Sequence, residues 1–224
     1  MPPAAPASSP TASAALREAD APNKLGRPNS FGGECGMPRL MSLLPRRLAD
    51  AGVPAEYRRA TLAGVNAPLR PTVETLLRNL PEWVREGRQL VLLGGIGVGK
   101  SCLLGLFAQA ACRADLSVRY ATVPQVCTWL HADSDSEFQA ACRARLLLLD
   151  DWGAEYATEF HRARLAELVD ARWSGNRATA VTSNLTEARL RSEYADLARV
   201  WDRLFDARRT TVLTLGGQSR RARA

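Results

Sequence analysis

The clearest chemistry in this sequence sits in eight consecutive residues. Gly94-Gly95-Ile96-Gly97-Val98-Gly99-Lys100-Ser101 fits the pattern G-x-x-x-x-G-K-[ST]. Its glycines let backbone N–H groups turn onto a phosphate with no Cβ in the way. The ammonium of Lys100 can reach the β- and γ-phosphates of a nucleotide, and the Ser101 hydroxyl can bind Mg²⁺. Cys102, the next residue, is grouped with the same cradle. A Gly-rich turn followed by a chance Lys-Ser is the competing reading. Lys24 and Lys100 are the only lysines among 30 basic residues, so a lysine at this position stands out against an arginine background.

A second constellation lies fifty residues on. Leu146-Leu147-Leu148-Leu149 is an apolar run that ends in Asp150-Asp151. In a parallel sheet, ligands bind beyond the carboxyl ends of the strands. Both acids therefore emerge where the glycine loop emerges. Asp150 can hold Mg²⁺, and Asp151 can orient or deprotonate a water. The alternative is that they merely end a strand at the surface.

These residues need elements to hold them. Strands are expected at Gln89–Leu93, Ser117–Thr122, Arg145–Leu149, Ala178–Thr182 and Thr210–Leu215. Helices are expected at Lys100–Ala114, after Pro124, and at His161–Trp173, Glu187–Ser192 and Asp196–Asp206. Alternating strands and helices predict an α/β fold: a parallel sheet covered by helices on both faces. Ahead of it, residues 36–88 read as a helical lead-in. A helix from Met41 is stopped by Gly52, and another spans Thr72 to Leu80; breaks are expected at Pro45, Pro54, Pro68 and Pro71. Residues 1–35, rich in Pro, Ala and Ser, read as a disordered tail. Residues 89–218 form the core, and 219–224 a basic end.

Composition narrows the classes. With 224 residues and 46% apolar content, the chain suits one domain plus a tail. No apolar run is long enough for a bilayer helix, and the N-terminus lacks the apolar core of a secretory signal, so no membrane partner is expected. The five cysteines are odd in number and form no C-x-x-C, which argues against zinc and disulfides and for a cytoplasmic setting. Net charge is +7, and seven arginines face two aspartates from Arg199 onward. Arg208, Arg209, Arg220, Arg221 and Arg223 read either as a solvated basic end or as contacts to a nucleic-acid backbone.

Four motifs in order carry a resemblance: Gly94–Ser101, Leu146–Gly153, Val181-Thr-Ser-Asn-Leu185 and Val200-Trp-Asp-Arg-Leu204. Together they resemble the DnaC/IstB group of AAA+ ATPases, P-loop NTPases that include helicase loaders and helpers of insertion-sequence transposases. The lead-in Ala51–Leu62 resembles the segment ahead of the core in these proteins. The resemblance implies ATP and Mg²⁺ as ligands, DNA as a target, a replicative helicase or a transposase as partner, and self-assembly on ATP or DNA. It implies a sensor role for Asn184, whose alternative is a helix cap. It implies an arginine finger at Arg203, with Arg199 as a second candidate and an ion pair to Asp206 as the alternative. Tyr57 would lie near the nucleotide base or serve as a core residue. The acid pair is Asp-Asp, as in the group's transposition helpers, where most AAA+ proteins have Asp-Glu; no helical lid domain is expected after Leu215, as is usual in this group; and the N-terminal region is expected to be reduced. The shorter Asp151 points to slow hydrolysis, and the reduced N-terminal region points away from helicase loading. A nucleotide-gated adaptor that scarcely hydrolyses ATP, and a small-molecule kinase, are the other classes the loop admits.

Overall fold

A computed structural model describes residues 37–129, 135–153 and 158–217. The expected tail and the basic end with Arg220, Arg221 and Arg223 lie outside the described residues. Five strands, β1 (Gln89–Gly94), β2 (Val118–Thr122), β3 (Leu146–Trp152), β4 (Ala178–Ser183) and β5 (Thr210–Leu215), form one parallel sheet in the order β2-β3-β4-β1-β5. The helices are α1 (Met37–Asp50), α2 (Arg70–Arg78), α3 (Leu80–Arg85), α4 (Lys100–Arg113), α5 (Val123–Thr128), α6 (Asp135–Arg143), α7 (Glu159–Ser174), α8 (Glu187–Glu193) and α9 (Ala198–Leu204).

Period-two alternation along the strands builds a core on each face. Leu90, Leu92, Leu146, Leu148, Ala178 and Ala180 pack with Leu48, Trp83, Leu104 and Phe107, under α1 to α4. Val91, Leu93, Leu147, Leu149 and Val181 pack with Val126, Phe138, Leu168 and Trp201, under α5 to α9. The expected layering therefore holds, and the strands sit within a few residues of their expected bounds.

The differences have local causes. The break expected at Pro45 is absent: α1 runs through it to Asp50. Its single missing N–H is outweighed by burial of Leu48 against α4. Gly52, at φ +82°, then turns the chain as expected. Its neighbour's carbonyl, on Ala51, accepts the Tyr120 N–H at 2.7 Å, so the lead-in caps edge strand β2 there. The helix expected to reach Leu80 stops at Arg78, because Pro81 has no N–H to continue it; Pro81 instead sits in the first turn of α3. Likewise Pro68 and Pro71 open elements. α5 begins at Val123, one residue before Pro124, under a capping box between Thr122 and Gln125. The expected Asp196–Asp206 helix is a 3₁₀ turn followed by α9. α6 was not expected, since its buried face is only Phe138 and Ala141.

One buried cation ties the back of the second layer. Arg172 of α7 is 1% exposed, and its hydrogen bonds among the described residues go to carbonyls and a hydroxyl. It donates to the carbonyls of Ala141 (2.6 Å), Ala144 (2.9 Å) and Ala178, and to Thr179 Oγ1 (2.9 Å). Burial pushes its guanidinium down to about 9. The carbonyls at the end of α6 suit a cation, and they lose their donors without it. Arg172→Met should therefore lower stability by about 3 kcal/mol, measured by urea denaturation; a loss below about 0.5 kcal/mol would show that the carbonyls find other donors.

Candidate functional site

The carboxyl ends of the strands meet at one edge: Leu93 pairs with Ser183, Trp152 with Ser183, and Gly94 with Leu215. The glycine loop rises from this edge and turns into α4. Gly97 (φ +79°) and Gly99 (φ +101°) occupy left-handed backbone that other residues rarely adopt. Val98 is buried and pins the loop, whereas Gly95 and Ile96 are exposed at its tip. Ser101 and Cys102 are half-buried in the first turn of α4.

Lys100 is 5% exposed, and its ammonium is directed back over the loop. Nζ donates to the carbonyls of Gly94 (2.8 Å) and Gly95 (2.9 Å) and to Asn184 Oδ1 at 2.6 Å. The last bond joins the loop to the end of β4. It brings Asn184 to the loop, and the cap of α8 is Thr186.

The two acids are placed by a bulge. Leu149 pairs with Val181 and Trp152 with Ser183, so Asp150 and Asp151 together oppose the single residue Thr182. Asp151 absorbs the extra residue in left-handed backbone (φ +60°), where aspartate is among the more tolerant types. Thr182 Oγ1 closes the bulge from both sides. It accepts the Asp151 N–H at 3.0 Å and donates to Asp150 Oδ1. The bulge also carries Trp152 onto the second face, against Trp201 at 5.0 Å. The expected strand ended before the acids; the observed one runs through them.

Asp150 is 2% exposed. Its Oδ2 accepts the phenol O–H of Tyr120, so both oxygens are held by hydroxyls. Burial first, and the Asp150 charge second, hold the Tyr120 phenol far above the usual tyrosine range. Tyr57 is half-buried, and its hydroxyl lies near the side chains of Ser101 and Glu56. Burial raises its phenol, and the neighbouring Ser101 hydroxyl opposes the shift. Tyr57 thus touches both the core and the mouth of α4. The backbone there is close, since a Cβ on Gly105 would lie 2.4 Å from the Tyr57 carbonyl oxygen.

Arg203 lies elsewhere. It pairs with Asp170 of α7 and is 14% exposed, so the expected alternative partner Asp206 is not the one it takes; Asp206 binds Arg208. Arg199 approaches the same Asp170 at 3.7 Å and is 77% exposed. Arg209 bonds Gly87 and Asn176 and covers the Trp173 ring, so it is a structural residue and not part of a loose basic end. Sequence reading passed over Thr182 and Tyr120. Their signal was positional: Thr182 lies two residues before Asn184, and Tyr120 is a hydroxyl-bearing residue in an otherwise core-facing position of β2.

The chemistry of the edge is that of a phosphate site. It joins a left-handed glycine loop, a helix N-terminus, an ammonium and a hydroxyl to two carboxylates. Hard oxygen donors on Ser101 and Asp150 suit Mg²⁺, which takes few protein ligands and fills the rest with water and phosphate. Residues 68–224 match the sequence model of the IstB-like ATP binding proteins. The chain belongs to the IstB-like family of ATP-binding proteins. Similar relatives include insertion-sequence ATP-binding proteins from Pseudomonas fluorescens (35% identical over 109 residues, 46% of this chain and 47% of that one) and Sinorhizobium fredii (38% over 109 residues, 46% and 44%). The chain thus aligns with about half the length of these curated relatives. The fold is similar to the crystal structures of DnaI (TM-score 0.64, 24% identity, 75% of this chain and 93% of that one) and of the DnaC helicase loader (TM-score 0.59, 20%, 73% and 100%). The α/β fold, a parallel sheet covered by helices on both faces, is thus shared with those two structures. Among the described residues no helix is long and apolar enough to cross a membrane.

The loop's two leading glycines separate fold from ligand. A Cβ on Gly94 would lie 2.3 Å from the Leu215 carbonyl oxygen, while one on Gly95 meets nothing within 4 Å. Gly94→Ala should cost about 2 kcal/mol or more, and Gly95→Ala should leave the melting temperature within about 2 °C of the parent. Equal melting temperatures for both variants would contradict the packing described.

Proposed function

We propose that this IstB-like protein is a Mg²⁺-dependent ATPase that assembles on DNA and acts as the ATP-driven helper of a transposase. The observation that carries the catalytic part is the Lys100–Asn184 bond at 2.6 Å, which joins the glycine loop to the strand beside the bulged acid pair. The family and the insertion-sequence names of its relatives support a transposition partner. The likeness to a helicase loader speaks to fold alone, so the loader reading comes second.

In this reading each residue has one task. Lys100 leaves the loop carbonyls for the β- and γ-phosphates, which offer stronger, charged acceptors. Ser101 and Asp150 would hold Mg²⁺, which supplies positive charge beside the transferring phosphoryl group. Asp151 accepts the proton of the attacking water as the bond from the γ-phosphorus to the ADP oxygen breaks. Asn184 orients that water or a γ-phosphate oxygen. A guanidinium from a second copy would complete the site across an interface. Arg203 is the family's candidate, and Arg199, also at Asp170, is the more exposed of the two. DNA contact would be to the backbone and poorly sequence-specific, with a salt-dependent affinity.

Asp151→Asn keeps the shape of the bulge and removes the base. It should leave ATP affinity within about twofold and lower turnover by about 100-fold or more, with wild-type turnover rising on addition of DNA. Wild-type turnover in the variant would remove Asp151 from catalysis. Negligible wild-type turnover with or without DNA would replace the ATPase by a nucleotide-gated adaptor.

A further inference from the structure

A carboxylate that is nearly inaccessible to water must find its hydrogen bonds inside the protein. Asp150 finds them in two hydroxyls from the strands on either side, Thr182 of β4 and Tyr120 of β2. The geometry of the second bond is set by register. Tyr120 pairs with Leu148, so it is the diagonal neighbour of Asp150 on the same face of the sheet. That diagonal lies within reach of a tyrosine side chain, and the phenol spans it.

The backbone of Tyr120 is held as firmly as its hydroxyl. Its N–H donates to the Ala51 carbonyl at 2.7 Å. Its own carbonyl oxygen lies 2.8 Å from where a Cβ on Gly52 would sit, so the glycine allows the lead-in to close against it. Tyr120 is thus the point where the lead-in, the edge strand and the acid meet. A carboxylate offers about four acceptor positions, and the two hydroxyls leave the others for a cation.

We propose that Tyr120 is the positioning residue of the metal-binding carboxylate, its phenol fixing the rotation of Asp150 so that the remaining lone pairs face Mg²⁺ held with the nucleotide. This rests on the assignment of Asp150 as a metal-holding residue. Hydroxyls behind a ligating carboxylate orient it, and their removal typically costs 10–100-fold in metal affinity. Tyr120→Phe keeps the ring in the core and deletes only the hydroxyl.

The test is calorimetric titration of the full chain with ATP, once with Mg²⁺ in excess and once in EDTA. For Tyr120→Phe the dissociation constant of ATP with Mg²⁺ should rise about tenfold, while that in EDTA stays within about twofold. Thr182→Val should behave in the same way, and Thr182→Ser, which restores a hydroxyl, should return towards the parent. The Thr182 pair carries the test should Tyr120→Phe fail to fold. An unchanged constant with Mg²⁺, or an equal weakening in both conditions, overturns the proposal, because the phenol would then serve stability alone. Wild-type binding that is the same with and without Mg²⁺ overturns the metal assignment itself, a result in which the Tyr120 variant plays no part.

Discussion

One threonine hydroxyl holds the functional edge in its shape. Thr182 Oγ1 bridges the two residues that a bulge forces to share its place in the sheet, accepting from the Asp151 N–H and donating to Asp150. Without that bridge the Asp151 N–H would lose this acceptor, and the buried Asp150 would lose a donor. The bulge then sets everything downstream. It leaves Asp150 on the face of α4, moves Trp152 to the opposite core, and brings two carboxylates to the edge from which the glycine loop emerges.

A second constraint keeps the loop and the sheet in one frame. Lys100 belongs to the helix and Asn184 to the end of β4, and their bond crosses from one to the other. The loop carbonyls that Lys100 also binds are neutral acceptors. A polyphosphate at the same place offers charged ones, so a ligand competes on favourable terms with the lysine's existing partners. Gly94 and Val98 show how tightly the loop is seated, since a methyl group on Gly94 would overlap β5. That close seating against β5 narrows the conformations open to the base of the loop.

Much of this was legible in the residues. Gly94–Ser101 announces itself because only glycine meets the backbone demands of the loop, and β1, β3 and β4 read clearly because both their faces are buried. The bulge was not legible: Leu146–Trp152 is a plain apolar run into two acids, and the extra residue becomes visible only when β3 is paired with β4. Tyr120 was hidden for the same reason, because its partner is defined by register between strands far apart in sequence. Pro45 misled because local propensity yielded to the burial of Leu48. The partner of Arg203 could not be read from helix spacing, since Asp170 comes from another helix.

On the proposed function, this edge binds ATP through its phosphates, with Lys100 as the cation that meets them. The direct measurement is calorimetric titration of ATP into the wild-type chain and into Lys100→Ala, with thermal melts of both to compare their folds. Saturable binding by the wild type is expected, with a loss of about 10-fold or more in affinity in the variant and retained cooperative unfolding in both. Equal ATP affinity in the two proteins, with both folded, would contradict this reading.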